Sequence, residues 1–170
     1  GSEMCIRDRN YVMRYINPAE KRDDAKVIWA DIENLLGASI KPFLRHYAIH
    51  KYRLVKSDKE GPYKKIRDFA NPEKASDLLY DLQKKAGYYN EIINPSEDDE
   101  GSKILVFFKG QNVKVFRPLF MSLMHCRELE VITEEDYEEA LEFLYRFYVC
   151  YKIIGGLESA NLVAVSYTHL

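Results

Sequence analysis

Residues 133–149 read TEEDYEEALEFLYRFYV, and this stretch has the features of a long amphipathic helix. Thr133 is a favourable N-cap, and the three acidic residues after it lie at the positive end of the helix dipole. Gly155-Gly156 follows the stretch and is expected to end the helix. The apolar side chains recur at intervals of a helical turn, at Leu141, Leu144, Tyr145, Tyr148 and Val149.

Two upstream segments show the same period, and each begins after an Asn-Pro pair, which supplies an N-cap and a proline suited to the first helical turn. Asn17-Pro18 precedes a helix that Gly37 is expected to end, with the apolar set Ala25, Ile28, Trp29, Ile32, Leu35 and Leu36. Asn71-Pro72 precedes a helix that runs to about Asn94-Pro95, with or without a break at Gly87. Its apolar set is Ala75, Leu78, Leu79, Leu82 and Ala86.

The sequence between these segments predicts shorter elements. A second helix is expected from Ser39 to about Val55, with Phe43, Leu44, Tyr47 and Tyr52 on its apolar side. A short helix is expected over 63–69, and an acidic loop over 96–102. Pro118 lies near the front of a helix that ends around Leu129.

The apolar run Ile104–Phe108 is ambiguous, because periodicity cannot separate a buried strand from a helical turn in so short a segment. One short strand or hairpin near 104–115 therefore remains open. Elsewhere, helices joined by short loops predict an all-α fold, an irregular bundle of about five to seven helices.

Composition limits the classes of protein that the chain could represent. Cys5, Cys126 and Cys150 have no paired spacing, which is typical of reduced thiols and predicts a cytoplasmic protein. No apolar run approaches the roughly 20 residues that cross a bilayer, so no membrane partner is expected. Residues 1–9 and 165–170 resemble peptides produced when sequencing adapter is translated, as in a metagenomic fragment. We therefore expect the fold within 10–164, as a piece of a longer protein.

A basic stretch from Lys41 to Arg67 holds nine Lys or Arg residues and two acids, a net charge of +7. Such clustering is typical of surfaces that neutralise nucleic-acid phosphates, and tyrosines are interleaved with the charges. The alternative is a solvated helix face balanced by acidic segments elsewhere. The candidate DNA-binding residues are Lys41, Arg45, His46, His50, Lys51, Arg53, Lys64, Lys65 and Arg67.

The other charged or nucleophilic residues predict no catalytic or metal site. Glu128–Glu142 holds eight carboxylates, and we favour a solvated helix face over a surface for a basic partner. His46 and His50 share a helix face, but zinc needs three or four ligands. His125 and Cys126 are adjacent, and neighbours on a helix point about 100° apart, so they form no nucleophile pair. No glycine-rich phosphate loop occurs, and no cofactor is predicted for this chain.

Several landmarks in this order resemble the helical middle region of GmrSD-type restriction endonucleases. They are Asn10–Met13, Trp29–Glu33, Pro42–Tyr47, Tyr63–Phe69 and Leu141–Arg146, with Gly155 beyond them. The resemblance spans about residues 10–164, and the run Phe-Leu-Arg-His-Tyr at 43–47 is its most specific part.

The resemblance implies a place in a phage-defence nuclease that cuts modified DNA. In that family a ParB-like, nucleotide-using domain precedes the helical region and an HNH nuclease domain follows it. Their catalytic motifs do not occur in this chain, so no catalytic residue is carried over. The implied function is a non-catalytic connector between those adjoining domains, in contact with DNA. The alternative is a helical protein-interaction or structural module without a nucleic-acid role. A small free-standing enzyme using His46 or His125 is a third hypothesis.

Overall fold

The structure is a computed structural model that describes residues 19–52, 75–98 and 100–156. Of these residues 84% are helical and none lies in a strand, so the predicted all-α class is confirmed. The helices are α1 Ala19–Leu36, α2 Ile40–Tyr52, α3 Ala75–Ile93, α4 Glu100–Gly110, α5 Arg117–Glu128 and α6 Glu134–Tyr148. A 3-10 turn, Gly37–Ser39, joins α1 to α2, and a π-helical turn, Val149–Ile154, follows α6.

The chain, whose residues 10–164 are predicted to form one domain, divides into two compact units, Gly1–Asn90 and Glu91–Leu170. Unit 1 contains α1, α2 and most of α3, and unit 2 contains α4, α5 and α6. Each unit has its own buried core. No described helix is long and apolar enough to cross a membrane.

The first two helices of unit 1 bury the apolar sides that their periods predict. In α1 all members of the predicted set are buried except Leu35, which is 44% exposed, so that assignment is wrong. Leu35 lies beside the buried Leu36 at the edge of the stripe, and neighbours on a helix point about 100° apart. Gly37 ends α1 as predicted, with a φ of +49°, a conformation that glycine adopts without a Cβ clash. In α2, Phe43, Leu44 and Tyr47 are buried.

Helix α3 buries its whole predicted apolar set and continues through Gly87 without a break. A glycine in a helix interior costs only about 1 kcal/mol relative to alanine, which the buried stripe around it outweighs. The helix ends at Ile93, next to the predicted Asn94-Pro95 boundary.

The run that could have been a strand is helical, because α4 spans Glu100–Gly110. Leu105 and Phe108, three residues apart, are buried, while Lys103 and Lys109 are exposed, which is the spacing of one helix face. The strand alternative is therefore wrong for this run. The loop predicted over 96–102 is also too long, since the helix already begins at Glu100.

The core of unit 2 is built around the ring of Phe108. Its centroid lies 5.5 Å from that of Phe116, 5.3 Å from that of Phe120 and 5.6 Å from that of Tyr148. Phe107 packs edge-on against Tyr145 of α6, with centroids 4.8 Å apart. These tilted and edge-on arrangements are the favourable geometries for aromatic pairs, so α4, α5 and α6 are joined through one aromatic cluster.

The helix ends in unit 2 follow their local sequence. Thr133 caps α6 as predicted: its Oγ1 accepts a hydrogen bond from the Asp136 amide at 3.1 Å. The Asp136 carboxylate accepts one from the Thr133 amide at 2.9 Å, which completes a capping box. Helix α5 begins with Pro118 in its first turn and ends at Glu128, close to the predicted boundaries.

Several predictions fall outside the described residues. These are the Asn17-Pro18 and Asn71-Pro72 caps, the end of the second predicted helix beyond Tyr52, the helix over 63–69 and the two terminal segments.

Candidate functional site

The outer side of α2 carries two of the predicted DNA-binding side chains, Lys41 and Arg45. Both are exposed, and their separation of four residues places them one turn apart on the same helix face. The helix takes this orientation because Phe43, Leu44 and Tyr47 are buried in the unit 1 core. No Asp or Glu occurs within α2, so this outer side is cationic.

Lys51 has a different environment. Its Nζ lies 3.1 Å from Oδ2 of Asp81 in α3, and its side chain is 45% exposed. Six residues of an α-helix turn through roughly 600°, so Lys51 points about 120° away from Arg45. The predicted cationic residues of α2 therefore do not form a single face.

His46 and His50 lie on the half-buried margin of α2. Nδ1 of His46 is 2.9 Å from Oη of Tyr89, and the centroids of the two rings are 5.6 Å apart. His46 thus helps to join α2 to α3. Within the described ranges, no three His, Cys, Asp or Glu side chains come together in a way that could hold a metal ion. The remaining candidates, Arg53, Lys64, Lys65 and Arg67, lie outside the described residues.

Asp81 is the centre of a polar cluster between α2 and α3. The hydroxyl of Tyr47 donates a hydrogen bond of 2.6 Å to Oδ2 of Asp81, the oxygen that Lys51 also approaches. Nζ of Lys85 lies 3.5 Å from the other carboxylate oxygen, and the Lys85 side chain is only 1% exposed. The same ammonium lies 4.9 Å from the ring centroid of Tyr88, a cation–π contact.

This environment changes the pKa of Asp81, Lys85 and Tyr47. Burial alone would raise the pKa of Asp81, but hydrogen bonds from Tyr47 and Lys51 and the two ammonium groups hold it below its ordinary value. Burial lowers the pKa of Lys85, and the Asp81 carboxylate offsets only part of this effect. Burial and the adjacent carboxylate both raise the pKa of Tyr47. The cluster therefore favours an ionised Asp81 that accepts hydrogen bonds from a neutral Tyr47.

Sequence reasoning did not identify Asp81 or Lys85, although a signal was present. Lys85 follows Leu82 by three residues and precedes Tyr89 by four, so it lies on the buried stripe of α3. A lysine at such a position needs a partner, and Asp81 precedes it by one turn.

All eight carboxylates of the acidic segment are exposed, as the solvated-face interpretation predicts. Beside them lies an open groove of about 460 Å³, lined by Glu100 and Ile104 of α4 and by glutamates of α6. Those glutamates are Glu135, Glu138, Glu139 and Glu142. The alternative of a basic partner at this surface remains a prediction.

The comparisons with known proteins gave no match: no protein-family model matches the chain, and neither does any curated protein or solved structure. The resemblance to GmrSD-type endonucleases therefore rests on the sequence landmarks alone.

Proposed function

We propose that this chain is the non-catalytic helical connector of a modification-dependent DNA restriction endonuclease, and that the outer side of α2 contacts the DNA backbone. The exposure of Lys41 and Arg45 on a helix without acidic residues carries the DNA-binding part of the proposal. The order of the sequence landmarks supports the placement in that family.

The three landmarks within the described residues, at 29–33, 42–47 and 141–146, lie in helices, which supports a helical scaffold. The most specific run, residues 43–47, lies within α2, where its apolar members are buried and Arg45 faces outward. Such a helix can hold its outer cations in a fixed position, because its opposite side is anchored in the unit 1 core. Phosphate contacts of this kind orient a protein on a duplex without reading its sequence.

The DNA-binding part is tested with fluorescence anisotropy of a labelled DNA duplex titrated with the full chain over a series of salt concentrations. The double variant Lys41→Glu/Arg45→Glu should weaken binding, and the salt slope should fall by about 1 for each phosphate that the variant no longer neutralises. The matched control is Lys109→Glu/Lys114→Glu, the same charge change at two exposed lysines of unit 2. Equal effects of the two double variants would contradict a DNA surface on α2.

The family placement has a separate test, which is to sequence the DNA that flanks this reading frame. A ParB-like domain before residue 10 and an HNH motif after residue 164, both in frame, are expected. True start and stop codons close to those positions would contradict the connector proposal, whatever the DNA measurement gives.

The second candidate is a protein-interaction or structural module, and the Lys51–Asp81 pair favours it. In that ion pair Lys51, a candidate DNA-binding residue, contacts an acidic residue of unit 1 instead. If this alternative is correct, the chain retains no DNA at any salt concentration. Salt instead weakens its fold or its complex with a partner chain, because screening reduces the attraction between the charged segments.

A further inference from the structure

The side of α6 that faces away from the unit 2 core carries a second apolar stripe. Phe143 is 67% exposed and Ile154 is 77% exposed. Between them, the half-buried rings of Phe147 and Tyr151 stack with centroids 5.7 Å apart. We call these four residues the outer stripe. The buried stripe of α6, which includes Leu141, Leu144 and Tyr148, is separate from it.

The charges beside the outer stripe are divided along the helix. Its N-terminal part holds the exposed Glu139 and Glu142, which lie within about 100° of Phe143 around the helix. Its C-terminal part holds the exposed Arg146 on the same flank, and residues 143–154 include no acid. This flank of the helix therefore has an acidic half and a basic half, with the rings of Phe143 and Phe147 beside the point where the two halves meet.

This division makes the surface complementary to itself in one orientation only. A second copy laid antiparallel would place its basic half against the acidic half of the first, while a parallel copy would oppose like charges. A two-fold interface requires such self-complementarity, because both partners use the same surface. Within one chain, Arg146 pairs with Glu142 at 2.6 Å, with side chains 71% and 52% exposed. An exposed pair of this kind is weak, so exchanging it for a pair between copies costs little.

We propose that the outer stripe is a self-association surface, through which two copies of this chain pair antiparallel. Phe143 and Phe147 lie at the centre of the contact, and Glu142 of each copy faces Arg146 of the other. Tyr151 and Ile154 extend the contact toward its ends. Aromatic residues at the centre and charges at the rim are the usual anatomy of a specific protein interface.

The first test measures the mass of the full chain by light scattering and sedimentation across a range of concentrations. We expect a species of twice the chain mass of 20.0 kDa. Phe143→Glu should raise the dimer dissociation constant by roughly thirtyfold or more, the effect of losing a central aromatic anchor. The matched control, Tyr80→Glu, replaces an aromatic residue of unit 1 that is 58% exposed and should leave the constant unchanged.

A monomer at every concentration overturns the proposal, and so does a dimer that Phe143→Glu leaves intact or that Tyr80→Glu weakens equally. Circular dichroism checks that both variants keep their helical content. If Phe143→Glu loses it, Phe143→Ala takes its place and should weaken the dimer in the same direction.

The antiparallel orientation has its own test. Arg146→Glu should weaken the dimer because it opposes like charges across the contact. Adding Glu142→Arg to that variant should restore the association, since the exchange of charges is symmetric between the two copies. A double variant as weak as Arg146→Glu, or a single variant as tight as the original chain, would overturn the antiparallel arrangement.

Discussion

The two units bury similar helical stripes but fill their cores differently. In unit 1, the buried Lys85 pairs with Asp81 one turn earlier in α3, and Tyr47 and Lys51 of α2 also contact Asp81. In unit 2, Phe108 is the centre of an almost wholly aromatic cluster. Apolar packing tolerates any partner of suitable shape, whereas a buried charge requires a particular one. Different kinds of substitution should therefore destabilise the two units.

The largest expected effect is in unit 2. Phe108→Ala removes a ring that is 2% exposed, and it should lower the free energy of unfolding by about 3–5 kcal/mol. The loss combines the transfer energy of the ring with the cavity left among the other rings. Urea unfolding measures the total, and native-state hydrogen exchange locates the loss in α4, α5 and α6.

The control for this change is Phe143→Ala, the same substitution at a ring that is 67% exposed. It should change the free energy of unfolding of the monomer by less than about 0.5 kcal/mol. A similar loss for both variants would mean that the aromatic cluster does not dominate the stability of unit 2.

A slightly smaller effect is expected in unit 1 from Asp81→Ala. This change leaves the Lys85 ammonium buried without its carboxylate and should cost about 2–4 kcal/mol, less than for a fully buried pair because the Asp81 side chain is 22% exposed. Trp29 is the single tryptophan and is 2% exposed in unit 1, so its fluorescence reports this unit.

The loss of stability in Asp81→Ala could come from the Lys85 ammonium or from the changed contacts of residue 81. The double variant Asp81→Leu/Lys85→Met separates these two explanations. Replacing both charges with apolar side chains should recover the part of the loss that comes from a buried ammonium without its carboxylate, although the Tyr47 hydroxyl still lacks its Asp81 acceptor. A double variant as unstable as Asp81→Ala would show instead that the lost Tyr47 hydrogen bond and the packing around residue 81, rather than the Lys85 charge, account for the loss.

The stability of unit 1 should also depend on acidic pH through Asp81. The folded pKa of Asp81 lies below its unfolded value of about 3.9, so its contribution is present above that pH and is lost as the pH falls toward the folded pKa. Asp81→Asn removes this dependence. The difference in unfolding free energy between the original chain and Asp81→Asn, followed by Trp29 fluorescence, should therefore narrow below about pH 4. A difference that stays constant below pH 4 would mean that the contacts with Tyr47, Lys51 and Lys85 do not lower the pKa of Asp81 in the folded chain.

The helices were largely predictable from the sequence, because caps and apolar periods are local signals. Thr133, Gly37 and Pro118 each lie at the helix end that their chemistry favours. The predictions failed where packing decides the outcome. Four of the five residues in the run Ile104–Phe108 are typical of strands and only Leu105 favours a helix, yet the run is helical and packs against Tyr145 of α6 through Phe107.

The candidate site was less predictable, because charge clustering in the sequence does not show where side chains point. Lys41 and Arg45 are exposed, yet Lys51 is paired with Asp81 on another side of the same helix. Lys85 was missed because a search for apolar periodicity passes over a charged residue. A charged side chain on a buried stripe is therefore worth testing as a partner for another charge.

The smallest expected effect is at the C-terminal ends of two helices of unit 2, α4 and α5. After α4, the Val113 amide donates to the Phe108 carbonyl and the Asn112 amide donates to the Lys109 carbonyl. After α5, the same pair of bonds joins Val131 to Cys126 and Glu130 to Arg127. Both ends are Schellman motifs, with Asn112 and Glu130 at φ values of 53° and 55° in the left-handed region.

The residues at these two positions differ in what the left-handed conformation costs. Asparagine tolerates it through local hydrogen bonding, whereas the Cβ of glutamate clashes with the backbone at a cost of roughly 1–2 kcal/mol. Glu130→Gly should therefore stabilise the chain by about 1 kcal/mol, after the greater freedom of glycine in the unfolded state is subtracted. Asn112→Gly should give a smaller gain, which makes it the matched control. Both are measured as shifts of the urea midpoint at constant slope. A loss of stability in Glu130→Gly would mean that the Glu130 side chain stabilises its helix end by more than its conformation costs. Equal gains in the two variants would mean that the left-handed conformation costs glutamate no more than asparagine.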